Sequence, residues 1–151
     1  MSGSYNAALD AMVAAIQAVA TTRIVTRTLV DLDQHQAADL QAGIFIVIAD
    51  GVRGYPYEHS DYHNGVDAPS QTELGQFEFI VIGRGQLPEG SDGAAVEAAE
   101  FAMLAELEAV ADAAIGSDPL LDLLLLRSEL SGQLVAPYCT VYTRWRLRLF
   151  N

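Results

Sequence analysis

The segment YCTVYTRWRLRLF, residues 138–150, alternates with a period of two. Cys139, Val141, Trp145, Leu147 and Leu149 fall on one side, and Thr140, Tyr142, Arg144, Arg146 and Arg148 on the other. Successive side chains point to opposite faces only in a β-strand. The chain must therefore contain a sheet with one covered face and one polar face, which excludes an all-helical bundle. The polar face stacks three arginines. All 20 acidic residues of the chain lie before residue 138, so this strand reverses the local charge of a molecule whose net charge is −12. The arginines must find carboxylates, within the subunit or on a neighbour, and bidentate pairing of that kind suits a subunit interface.

Two further strands are legible. IFIVIA, residues 44–49, is an unbroken apolar run stopped by Asp50-Gly51, as expected of a strand buried on both faces and ended by a turn. QFEFIVIG, residues 76–83, alternates and then becomes continuously apolar. TRIVTRTLVDL, residues 22–32, is rich in β-branched residues and also reads as a strand. Residues 33–43 are polar and read as a connection. Residues 51–74 combine Gly, Pro, Asp and Ser with Tyr55, Tyr57 and Tyr62, the pattern of a long loop or hairpin arm. Loops beyond about 12–15 residues inside a compact domain usually carry function. LLDLLLL, after Asp118-Pro119, fits a short helix or a buried strand equally well.

Two long helices complete the set. The first spans about Ser4 to Ala20, with Leu9, Met12, Val13, Ile16 and Val19 in one stripe. Its back holds Ala7, Ala11, Ala14 and Ala18 where a surface helix normally carries charge. The second runs from about Ala94 to Ile115, capped by Ser91 or Asp92. Its core stripe is Val96, Ala99, Met103, Leu107, Val110 and Ala114. A second stripe, Ala98, Ala102, Ala105, Ala109 and Ala113, is all alanine, with Glu97, Glu108 and Asp112 between the two. Either alanine is helix filler or both helices are covered on two sides.

Composition removes whole classes of function. A chain with a pI near 4.3 is unsuited to gripping a phosphate backbone or an anionic membrane surface. The single Cys139 excludes an internal disulfide and a cysteine-based zinc site. No apolar run approaches the length of a spanning helix. Residues 11–20 imitate a signal-peptide core, but the preceding MSGSYNAALD lacks the basic residues such a signal requires.

Few residues suggest catalysis. In an extended Glu58–His63 segment, His59, Asp61 and His63 would share a side, and two imidazoles with one carboxylate can hold a divalent metal. That pattern supports the alternative of a small metal-dependent enzyme. Against it, the segment lies in a loop rich in Gly and Pro. Cys139 falls on the apolar face, as an inert core thiol would. Gly83-Arg84-Gly85 lacks the third glycine and the Lys-Ser/Thr of a phosphate loop. A cytoplasmic binding module of the same fold class is a further alternative. The two-faced helices, the long loop and the arginine strand all point instead to assembly.

The element order is a helix, three strands with a long arm before the third, a long Ala/Glu-rich helix and a closing strand. Together with IFIVIADG, AAVEAAEFAMLAELEAVADAAI and the terminal strand, this resembles the tail terminator proteins of long-tailed bacteriophages, the lambda-type minor tail protein family. The resemblance covers about Tyr5 to Phe150. It implies a single α+β domain over 1–151, with a mixed, mostly antiparallel sheet of about four to five strands flanked by two main helices. It implies a virion protein without enzymatic activity or cofactor, assembled in the host cytoplasm and located at the head-proximal end of the tail. As a homohexameric ring it would cap the tail tube, stop its polymerisation and offer a surface to the head. Its partners would be copies of itself, the tail tube protein and a head–tail connector or neck protein. DNA would pass the acidic lumen without specific binding, and no membrane would be involved. Expected interface residues are Arg144, Arg146, Arg148, Ala98, Ala102, Ala105 and Ala109, with Tyr55, Tyr57 and Tyr62 reaching a partner. A head–tail connector or tail completion protein is the nearest alternative.

Overall fold

The alternating and apolar runs pair into one mixed five-stranded sheet, and the two Ala-rich helices cover one of its faces. The structure is a computed structural model that describes residues 2–54, 73–114, 120, 122–132 and 136–150. The elements are α1 (Ser2–Val19), β1 (Ile24–Thr26), a 3-10 turn (Leu32–Gln34), α2 (Ala37–Ala42), β2 (Ile44–Gly54), β3 (Glu73–Gln86), α3 (Gly93–Ala114), β4 (Asp122–Leu130) and β5 (Tyr138–Phe150). The strand order is β1-β2-β3-β5-β4. Only β1 and β2 run parallel, and every other neighbouring pair is antiparallel. The fold class is α+β.

Parity along each strand decides what is buried. Phe45 and Val47 of β2, Phe79 and Val81 of β3, and Val141, Trp145 and Leu147 of β5 point toward the helices and join the main core. Leu9, Met12 and Ile16 of α1 meet Val96, Met103, Leu107 and Val110 of α3 in the same core. Gly83 lies where that packing is tightest. A Cβ there would stand 2.6 Å from Val141 Cγ2 and 3.0 Å from the Phe45 ring, so the packing of these two side chains over β3 requires the missing side chain. The alternate residues Ile44 and Ile46 form a second, smaller cluster with Leu40, flanked by Leu32, Ile48 and Ile82. Among the described residues, the opposite face of the sheet is thus closed over β2, whereas Leu124 of β4 stays exposed and Arg144, Arg146 and Arg148 of β5 are half-buried.

Several sequence expectations are corrected. Residues 22–32 are not one strand: β1 is confined to Ile24–Thr26, and Leu32 opens a 3-10 turn. β-branched residues favour strands only where a partner is available, and here the chain leaves the sheet edge to cross toward β2. The polar stretch 33–43 contains α2, a short helix that buries Leu40 alone. It ends at Gly43, whose φ of 90° suits a glycine helix cap. Asp50-Gly51 does not end β2. The strand irregularity between Ala49 and Arg53 carries it on to Gly54. Within LLDLLLL, Asp122–Leu126 form the start of β4, an edge strand paired with β5. The α3 cap is Asp92, whose Oδ1 accepts a bond from Ala95 N at 2.9 Å.

Candidate assembly surfaces

β5 organises both faces of the sheet. On the helix side, Trp145 stacks against Phe79 with ring centroids 6.2 Å apart. Its Nε1 donates to Thr143 Oγ1 at 2.8 Å, and that hydroxyl donates to Val81 O at 2.9 Å. The polar atoms of this layer are therefore satisfied while its rings stay dry. Cys139 is buried at the other end of the same strand face, opposite Gly85 and near Met103. Burial pushes its thiol pKa up, and the nearby Glu100 charge adds to the shift. The thiol is held protonated, in line with its expected place on the apolar face.

Glu100 is the residue that sequence reasoning missed. It is fully buried. Its Oε1 accepts from Ser131 N at 3.1 Å, and its Oε2 accepts from Ser131 Oγ at 2.6 Å and from Thr140 N at 2.9 Å. One carboxylate thus ties α3 to the end of β4 and the start of β5. The signal was present in the sequence. Glu100 lies four residues after Val96 and three before Met103, in line with the apolar stripe, where an acid must be fully bonded to be tolerated. Arg23 plays a similar part near the surface. It forks onto Glu106 at 2.9 and 3.2 Å and lies 5.9 Å from the Phe45 ring centroid.

The arginine face of β5 turns away from the helices. Arg144 pairs with Asp50, lies 3.8 Å from Glu78 and reaches Tyr142 OH at 3.4 Å. The Asp50 carboxylate raises the Arg144 pKa above its ordinary value. Arg148 pairs with Asp122 of β4 at 3.2 Å. Arg146 lies between them, opposite Glu78 on β3 and Leu124 on β4 in register. It forms no ion pair with a described residue. Two rungs of the ladder therefore find carboxylates inside the subunit. On the exposed edge beside them, Arg127 pairs with Glu129, and Leu124 and Leu126 are 46% and 39% exposed.

The second apolar surface is the outer side of α3. Ala98, Ala102, Ala105, Ala109 and Ala113 are all exposed, while the Val96–Ala114 stripe faces the core. Phe101 stands among them, 53% exposed. Glu97, Glu108 and Asp112 flank the stripe and pair with no described cation. On α1, Ala7, Ala14 and Ala18 are likewise exposed. Ala11, expected on the same back, is instead half-buried against the core, and the described residues cover the α3 alanine stripe on no second side.

Tyr55, Tyr57 and Tyr62, and the potential metal ligands His59, Asp61 and His63, lie outside the described residues. Among the described residues no three His, Cys, Asp or Glu side chains converge as a metal site. A cavity of about 80 Å³ is lined by Arg23, Leu40, Gly85, Ala99, Met103 and Cys139, well below the size of ordinary ligand sites. A larger cleft of about 510 Å³ is bounded by Leu87, Glu89, Ser91 and Pro137, and Ser91 Oγ there donates to Pro88 O at 2.7 Å. No helix among the described residues is long and apolar enough to cross a membrane. Compared with known protein families and with curated proteins, the chain matches none.

Proposed function

We propose that this chain is a structural subunit that closes into a ring with copies of itself and acts as a tail terminator of a long-tailed bacteriophage. In that role it caps the tail tube, stops its growth and presents a surface for head attachment, with no catalytic step and no cofactor. One observation carries the reading. Two unlike apolar surfaces, the outer side of α3 and the β4 edge with Leu124 and Leu126, lie on opposite sides of one sheet. Contacts between unlike surfaces repeat head to tail, and they close into a ring when the rotation allows it. The element order that resembles the terminator family supports the same reading. The net charge of −12 suits a channel through which DNA passes without sticking.

The test is functional. The purified chain is added to polymerising tail tube protein, and tube lengths are read from negative-stain images. Tubes of limited length with a ring at one end are the expected result. Tubes that grow without limit at saturating protein overturn the terminator role. A ring that binds the portal side of heads and ignores tubes identifies a head–tail connector instead.

A further inference from the structure

The two uncovered surfaces are opposite in character. The α3 side presents Phe101 and small alanines beside the exposed acids Glu97, Glu108 and Asp112. The open β4–β5 face presents the exposed Leu124 and Leu126 beside arginines. Four of the chain's eight cations, Arg127, Arg144, Arg146 and Arg148, lie on these two strands. Arg144, Arg148 and Arg127 are held by Asp50, Asp122 and Glu129, whereas Arg146 pairs with no described carboxylate.

Copies of a chain this acidic repel one another at long range. A contact between copies is therefore least opposed where an acidic surface of one meets the charge-balanced β4–β5 face of the other, where Arg127, Arg144, Arg146 and Arg148 offset Asp50, Glu78, Asp122 and Glu129. The α3 side supplies that acidic surface together with an apolar centre. Its alanines allow a helix backbone to approach a sheet closely. Among the described residues, α2 and the 3-10 turn lie over the β2 side of the sheet, and Leu124 and Leu126 stay exposed. We propose that the outer face of α3 in one copy packs on the open β4–β5 face of a second copy, with Phe101 against Leu124 and Leu126 and the acids of α3 facing Arg146. This rests on the ring reading above and names the surfaces that would build the ring. Because donor and acceptor surfaces lie on opposite sides of the sheet, each copy can hold one neighbour on each side.

Two variants with one blocked surface each test this. Ala105→Arg places bulk and the wrong charge on the exposed centre of the α3 face. Arg146→Glu reverses the rung that pairs with no described carboxylate. Each variant alone is expected to stay monomeric by light scattering with an unchanged circular dichroism spectrum. An equimolar mixture is expected to give a dimer and nothing larger, since each partner supplies the surface the other lacks. Phe101→Ser is expected to weaken wild-type association at least about tenfold. If wild-type rings form and both variants still form them, the assigned surfaces are wrong while the ring reading stands. If folded variants stay monomeric when mixed, the pairing is overturned. If the wild type stays monomeric at every concentration, alone and with tail tubes, both the pairing and the ring reading fail.

Discussion

The two faces of β5 are built on one backbone and held in opposite ways. Toward the helices, Val141, Trp145 and Leu147 are excluded from water, and the polar Thr143 is sealed by bonds to Trp145 and Val81. Toward the open side, half-exposed arginines meet carboxylates across strands. Burial of apolar area is the larger source of stability, at roughly 25 cal/mol per Å². Exposed ion pairs are screened and contribute about 0–1 kcal/mol each. The helix face therefore fixes the fold. The open face can keep charge and uncovered leucine at little cost to the subunit, which leaves it available for a partner.

Substitutions on the two faces should differ accordingly. Trp145→Ala removes the largest buried side chain and its stacking on Phe79, and should lower unfolding free energy in urea by about 3–5 kcal/mol. A loss below about 1 kcal/mol would mean the helix face is not the dominant core. Glu100→Ala comes next. It removes the carboxylate acceptor of Thr140 N and of the two Ser131 donors, and should cost about 1–3 kcal/mol. Glu100→Gln, which keeps one acceptor oxygen, should lose less. Equal losses for the two variants would count against the hydrogen-bond explanation.

The thiol inside the helix face gives a pH signature. Burial raises the folded pKa of Cys139 above its unfolded value. Its contribution to stability is fully present below the unfolded thiol pKa, about 8.5, and is lost as pH rises through the folded pKa, because the unfolded state releases its proton first. Wild-type stability should therefore fall more steeply above pH ~8.5 than that of Cys139→Ala, and parallel curves would contradict the buried thiol. The smallest effect is expected on the open face. Arg148→Ala, at a pair whose side chains are 39% and 44% exposed, should change stability by less than about 1 kcal/mol. A larger loss would show that the ladder holds the fold.

Much of this architecture can be read from periodicity. The terminal strand, β3 and the core stripes of both long helices follow from patterns that sustain one period over many residues. The alternation of β5 separates buried from open residues at every position from Cys139 to Leu147. Legibility fails where tertiary context overrides local preference. Residues 22–32 have strand chemistry, but only Ile24–Thr26 has a partner. α2 is a single short helix with one buried leucine, too brief to show a stripe. The leucine run at 120–126 has no period of its own. Pairing with β5 buries Leu123 and exposes Leu124. The pairing of Arg144 with Asp50 crosses 94 positions in the sequence, so the type of partner could be expected but not its identity. The alanine back of α3 was legible as a pattern. That it lies uncovered in the subunit became visible only once the core stripe had found the sheet.

The decisive measurement is the mass of the wild-type chain in solution, by light scattering across protein concentration, with negative-stain images of the same samples. Closed rings of about six copies are expected, alone or on contact with tail tubes. A strict monomer at every concentration, with tubes present as well as absent, would contradict self-assembly through the two uncovered surfaces.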